Sequence, residues 1–155
     1  MSVECCPIII ELGRINLIGQ THSDWNESTP MTSQTRLSQR LVPALLVRDM
    51  AETLEFYGRL GFKLTGCHPI GKPTWAEVCR DSVTLQFHTQ PPRGTPTTPV
   101  FSGTLYVFPE SVTALADEYH GKVEFAWGPE VMDYGMREFA VQDPNGYFLA
   151  FSEPA

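Results

Sequence analysis

The chain has 155 residues, 42% of them hydrophobic and 19% charged, enough for one hydrophobic core or for two small modules that share one. Its net charge of −7 and pI near 5.0 exclude the clustered Lys and Arg that a phosphate backbone demands, so no nucleic-acid partner is expected, while a cationic ligand is permitted. No apolar run approaches the roughly 20 residues of a membrane span, and the amino-terminus lacks the basic start and small-residue cleavage site of a secretory signal, so the expected location is the cytoplasm, away from membrane.

Residues 1–40 differ from the rest. "IIIELGRINLIG" could form one or two short strands, but "QTHSDWNESTPMTSQT" is polar and aperiodic, so this stretch reads as a largely irregular extension. Met31 stands shortly before the patterned part, and the residues before it read as an appendage or a misassigned translation start. Cys5-Cys6, Cys67 and Cys79 form no CxxC and no zinc-finger spacing with histidine, so reduced, structural thiols are expected.

From Leu41 the pattern becomes regular. "LVPALLV" (41–47) is a near-continuous apolar run, as for a buried strand. Asp49 can cap a helix starting at Met50, with Glu52 completing a capping box. Met50, Leu54 and Tyr57 recur at helical spacing, Phe56 and Leu60 widen the stripe, and Gly61 suits the left-handed stop, so the helix spans about 50–60. "FKLTGCH", "TWAEVCR" and "VTLQFHT" read as strands, the last two joined at Asp81-Ser82. The Pro-, Gly- and Thr-rich stretch at 91–103 reads as a linker.

The order then repeats. "TLYVF" is a strand, Ser111 a cap, and Val112, Leu115 and Tyr119 mark a helix face that stops at Gly121. "VEFAW", "MREFAVQ" and "YFLAFS" follow as strands, the last two joined by Asp143-Pro144-Asn145-Gly146, a strong hairpin turn. Asp49 and Ser111, Gly61 and Gly121, and Asp81 and Asn145 lie 62, 60 and 64 residues apart, so the chain reads as two βαβββ modules, 41–90 and 104–155.

This duplication, with "VRDMAETLEFYGRLGFKL" in the first copy and "YGMREFAVQDPNGYFLAF" in the second, resembles the glyoxalase, bleomycin-resistance and extradiol-dioxygenase (vicinal oxygen chelate) superfamily over residues 41–153, and most of all its bleomycin-resistance branch. The resemblance implies an α+β fold in which two βαβββ modules form a curved mixed sheet around a cleft, with helices on the convex side, and a homodimer with paired clefts. Metal-dependent members carry ligands at positions that here fall on Val42, Gln86, Thr104 and Ala150. Only Gln86 offers a donor, a weak neutral oxygen, so neither metal nor other cofactor is expected.

Strand alternation then sorts the faces. Thr84, Gln86, His88, Phe148, Ala150 and Ser152 are expected to look into the cleft with Trp75 and Glu77, while Ala76, Val78, Leu85, Phe87, Leu149 and Phe151 pack under the helices. Thr104, Tyr106 and Phe108 should face the same way, with Trp127, Met132 and Tyr134 on a long loop or strand end at the rim. The candidate ligand-binding set is therefore Trp75, Glu77, Gln86, His88, Thr104, Tyr106, Phe108, Trp127, Tyr134 and Glu138, with no catalytic or metal residue. Glu77 and Glu138 could meet a positive ligand charge, or serve only as solvated surface groups, and Arg137 with Glu138 reads as an ion pair shaping the loop. His88 could act as a base, or be an ordinary hydrogen-bonded sheet histidine.

The function expected is metal-free sequestration of an aromatic or cationic compound by a homodimer. A lyase or isomerase working without the standard metal site, or with atypical ligands, is the alternative, and a regulatory interaction subunit the third.

Overall fold

The computed structural model describes residues 41–155. The readings made for residues 1–40, including the strands in "IIIELGRINLIG", the Met31 start and Cys5-Cys6, lie outside the described residues.

Capping chemistry sets both helices. The Asp49 carboxylate accepts from the Glu52 N–H at 2.9 Å and starts α1 (Met50–Arg59). The return bond from the Glu52 side chain does not form among the described residues; instead the Thr53 hydroxyl donates to the Asp49 carbonyl at 2.6 Å. Thr53 is also fully buried, an inward polar residue that an apolar stripe does not reveal, whereas Leu54 is only partly buried. Ser111 caps α2 (Val112–Tyr119) by accepting from the Ala114 N–H at 3.2 Å. Gly61 and Gly121 follow the two helices at φ of +82° and +73°, the left-handed conformation that glycine adopts without strain.

The strands are β1 (Ala44–Leu46), β2 (Lys63–His68), β3 (Trp75–Arg80), β4 (Val83–His88), β5 (Thr104–Val107), β6 (Phe125–Val131), β7 (Met136–Gln142) and β8 (Phe148–Pro154). They form two four-stranded mixed sheets, ordered β1-β4-β3-β2 and β5-β8-β7-β6. The pairs β1–β4 and β5–β8 are parallel and the others antiparallel. This is an α+β fold of two βαβββ modules. β1 is shorter than the apolar run suggested, since Leu41 is exposed and Pro43 has no N–H for the ladder.

One apolar core joins both halves. It takes Leu45, Ala76, Val78, Leu85 and Phe87 from the first sheet, Phe139, Val141, Leu149 and Phe151 from the second, and Phe56, Tyr57, Val112 and Tyr119 from the helices. The aromatic contacts are close: Tyr57 to Phe87 at 4.7 Å and Phe139 to Phe151 at 4.9 Å between centroids. Burying each such ring stabilises the fold by roughly 1.5–3 kcal/mol. Alternate residues of a strand point to opposite faces, so each sheet has a second, helix-free face away from this core: on the first sheet Glu77 and Gln86 are half-buried there, while on the second Glu138, Ala150 and Ser152 are buried.

Polar ties lock the halves together at two seams. Asn145 Oδ1 accepts from the Arg48 N–H at 2.8 Å, and its Nδ2 donates to Thr53 Oγ1 at 3.0 Å. Tyr147 donates to the Leu46 carbonyl at 2.7 Å, and Tyr57 to Asp143 at 3.4 Å. At the other seam Arg80 Nη1 donates to the Leu60 carbonyl at 2.6 Å and to the Tyr119 hydroxyl at 2.8 Å, while its Nη2 pairs with Glu118 at 2.8 Å. The Asp-Pro-Asn-Gly turn therefore joins two strands and also fastens one module to the helix of the other.

Candidate functional site

On the helix-free face of the first sheet, register brings four of the candidate residues together: Trp75 pairs with His88, and Glu77 with Gln86. Glu77 accepts from Gln86 Nε2 and from the Thr65 hydroxyl, each at 2.9 Å, and these two bonds hold its carboxyl below the usual range. Thr65 reaches this position because β2 carries a bulge between Leu64 and Gly66, which simple alternation does not anticipate. Gly66 leaves room for Trp75, since a Cβ there would lie 3.2 Å from the indole. His88 Nδ1 lies 2.9 Å from the Gln90 carbonyl; a carbonyl only accepts, so Nδ1 is the donor in this bond.

The second sheet carries the other six. Glu138 is 2% exposed and Ser152 1%. The Ser152 hydroxyl donates to Glu138 Oε1 at 2.9 Å, and the Tyr134 phenol also bonds Glu138. Desolvation, with the bond to Glu138 and its charge, pushes the Tyr134 phenol up to about 12, so it stays a protonated donor. Among the described residues Glu138 has no ion-pair partner, and the residue opposite it on β6 is a second acid, Glu130. Arg137, expected to pair with Glu138, instead meets Glu153 at 3.5 Å, because adjacent strand residues point to opposite faces.

Trp127 lies within β6, opposite Ala140, and not on a loop. It packs on Phe148 at 5.4 Å between ring centroids, and its buried Nε1–H has no partner. β6 bulges immediately after it, at Gly128 (φ +71°) and Pro129. A Cβ on Gly128 would collide with the Glu138 carbonyl oxygen and sit 2.9 Å from Phe139 Cα, so only glycine brings Trp127 and Glu138 onto neighbouring strands in this way. The β6–β7 connection is a tight turn, in which Met132 N–H donates to the Met136 carbonyl at 2.7 Å, and Tyr134 sits at its exposed tip. Thr104 is half-buried opposite Phe148, whereas Tyr106 and Phe108 are exposed, with rings stacked at 6.3 Å and 20°.

The ten candidates thus fall into two sets: Trp75, Glu77, Gln86 and His88 on the first sheet, and Thr104, Tyr106, Phe108, Trp127, Tyr134 and Glu138 on or beside the second. No hydrogen bond or ring contact joins the sets among the described residues. Ser152 and Thr65 complete the two polar networks. Ser152 was legible by alternation, two residues after Ala150; Thr65 was hidden by its bulge.

Of the four positions that the resemblance assigns to metal ligands in other members, Val42 and Ala150 have no side-chain donor atom, Thr104 offers only a neutral hydroxyl, and the Gln86 amide nitrogen is bonded to Glu77; among the described residues no three His, Cys, Asp or Glu side chains gather. Cys67 and Cys79 are free thiols. No helix among the described residues is long and apolar enough to cross a membrane.

Residues 40–151 match the model of the glyoxalase/bleomycin resistance protein/dioxygenase superfamily, and the chain belongs to that family. No curated protein matches it. Among solved structures it is similar to TnmS3, an antibiotic binding protein from Streptomyces sp. CB03234, with 20% identity over 79% of this chain and 100% of that one (TM-score 0.62). TioX from Micromonospora sp. ML1 is 18% identical over 76% of this chain and 99% of its own (TM-score 0.60). A bleomycin-binding protein complexed with bleomycin is 19% identical over 76% of this chain and 100% of its own (TM-score 0.58). At these identities the likeness is one of fold.

Proposed function

We propose that this member of the superfamily is a cytoplasmic small-molecule binder of the bleomycin-resistance type, which captures an aromatic or cationic compound without a metal and between two copies of the chain. The observation that carries the reading is Glu138. A buried carboxylate bonded to a neutral hydroxyl, with no ion-pair partner among the described residues, is costly unless an opposite charge arrives, and a ligand ammonium or guanidinium meets that need. Tyr106, Phe108 and Tyr134 add exposed aromatic faces in the same region, suited to stacking and to cation–π contact. Two of the similar folds carry names that speak of bleomycin binding and antibiotic binding, which supports the class of function.

The half-buried state of Trp75, Glu77, Gln86 and His88 in the single chain supports the homodimer. A ligand bound to one sheet of a single chain would be covered on one side only, and the face carrying Trp75, Glu77, Gln86 and His88 on a second copy supplies the missing wall. The test is calorimetric titration with bleomycin and smaller aromatic cations, on the native chain, Glu138→Gln and Trp75→Ala, together with sedimentation. Binding by a dimer, weakened at least tenfold (about 1.4 kcal/mol) by either substitution, supports the reading; binding indifferent to both, or a monomer in the bound state, overturns it.

His88 favours a second reading, since the bond from Nδ1 to the Gln90 carbonyl anchors its ring on the same strand and face as Gln86, where an imidazole can serve as a general base. A metal-independent lyase or isomerase would then lose turnover in His88→Gln without losing ligand affinity.

A further inference from the structure

The sequence duplication makes the two seams between the modules counterparts, since each places the turn between the last two strands of one module against the helix of the other. They are filled differently. At the α1 seam the turn from Asp143 to Gly146 reaches inward, and Asn145 occupies the space with bonds to the Arg48 N–H and to Thr53. At the α2 seam the turn is only Asp81-Ser82, between the end of β3 and the start of β4. An open cavity of about 580 Å³ remains there, with Phe62, Val83, Val107, Leu115 and Phe151 among its walls.

We propose that this seam cavity is a second ligand site, which shares only Phe108 with the candidate residues of the two sheets, and that it takes a compact amphiphile made of one apolar ring and one protonated amine. Its volume lies within the roughly 300–1,000 Å³ of small-molecule sites, and its wall divides almost evenly between an apolar part, from residues such as Phe62, Val107 and Phe151, and a polar part, from residues such as Arg80, Glu110 and Glu118. The charge at that margin selects the head group. Four charged residues line the cavity: Arg80, Asp81, Glu110 and Glu118. The Arg80 guanidinium is already committed to the Leu60 carbonyl, the Tyr119 hydroxyl and Glu118. Among the described residues Glu110 has no ion-pair partner, so the margin holds an excess of negative charge that attracts an amine and repels a carboxylate. A ligand seated there touches β4 of one module and α2 of the other, and so fastens this seam as Asn145 fastens its counterpart.

The experiment is a titration of the ¹⁵N-labelled full chain with 2-phenylethylamine, read on backbone amides. Saturable shifts are expected at Ser82, Ser111 and Leu115. Ala114→Phe, on an exposed position that lines the cavity, should fill it and weaken binding at least about tenfold, and Glu110→Gln should lower affinity for the amine but not for 2-phenylethanol. Glu138→Gln and Trp75→Ala should leave this titration unchanged, which separates the seam site from the capture site proposed above. Shifts centred on Glu138 or Trp75, affinity unaltered in Ala114→Phe, equal affinity for 2-phenylethanol, or no saturable shift would each overturn the proposal.

Discussion

Asn145→Ala isolates the tie between the modules. Asn145 is 5% exposed, and its amide makes three bonds: from the Arg48 N–H at 2.8 Å, to Thr53 Oγ1 at 3.0 Å and to Asp143 Oδ2 at 3.3 Å. Truncation leaves the Arg48 N–H, at the entry to α1, without its acceptor, and removes a donor from two buried oxygens. Thr53 still donates to the Asp49 carbonyl, and Asp143 still accepts from the Asn145 and Tyr147 N–H groups, so neither becomes fully orphaned. The Arg48 N–H is only part-buried, so the cost is counted as three lost bonds at about 1 kcal/mol each, and the expected destabilisation is roughly 2–4 kcal/mol. For a domain of this size that lowers Tm by roughly 6–12 °C. Urea unfolding should show a lower midpoint with an unchanged slope. A double-mutant cycle with Thr53→Val, a residue 92 positions away, measures whether the bond crosses the modules, and a coupling above about 0.5 kcal/mol is expected. A loss below that value, or no coupling, would reduce Asn145 to a local turn former and refute the tie.

Gly128→Ala should destabilise by roughly 2–4 kcal/mol, since it combines a left-handed backbone with a clash against the Glu138 carbonyl, and it should abolish ligand binding by displacing Trp127; thermal unfolding with calorimetric titration checks both. Ser152→Ala removes the hydroxyl bonded to the buried Glu138 carboxylate and should lower stability by about 1.5–3 kcal/mol in urea melts. The Tyr119 and Tyr134 phenols, both pushed up to about 12, remain neutral in the folded chain where an unfolded phenol ionises near 10. Stability should therefore hold below pH about 10 and decline from there towards 12, with late phenolate absorbance at 295 nm as the readout. For Glu77 the sign is reversed: its lowered pKa contributes stability that is present above 4.5 and lost as pH falls through the folded value, and Glu77→Gln should flatten that acid limb.

The amino-acid order alone determined the elements and their duplication. Caps at Asp49 and Ser111, left-handed glycines at 61 and 121, and period-two runs in β3, β4, β7 and β8 are local signals, each written in a few consecutive residues. For the same reason the faces of β3 and β4 were legible, with Ala76, Val78, Leu85 and Phe87 buried and Trp75, Glu77, Gln86 and His88 half-buried on the other side, whereas on β8 Leu149, Ala150, Phe151 and Ser152 are all buried.

Tertiary structure decided whatever depends on partners distant in sequence. The bulges at Thr65 and Gly128 shift register, and so choose which side chains meet, without altering the apolar pattern around them. Glu138 reads in the sequence as one of two charged neighbours, yet its burial is set by β8 and by the Tyr134 turn folding over it, while Arg137 leaves by the other face. Asn145 reads as a turn residue, and only the packing of one module against the other reveals what its amide holds. The separation of the ten candidate residues onto two sheets has the same origin. Strand alternation states which side of a sheet a residue occupies, but tertiary packing decides whether that side is open, because away from the shared core the second sheet holds Glu138, Ala150 and Ser152 buried while the first leaves Glu77 and Gln86 half-buried.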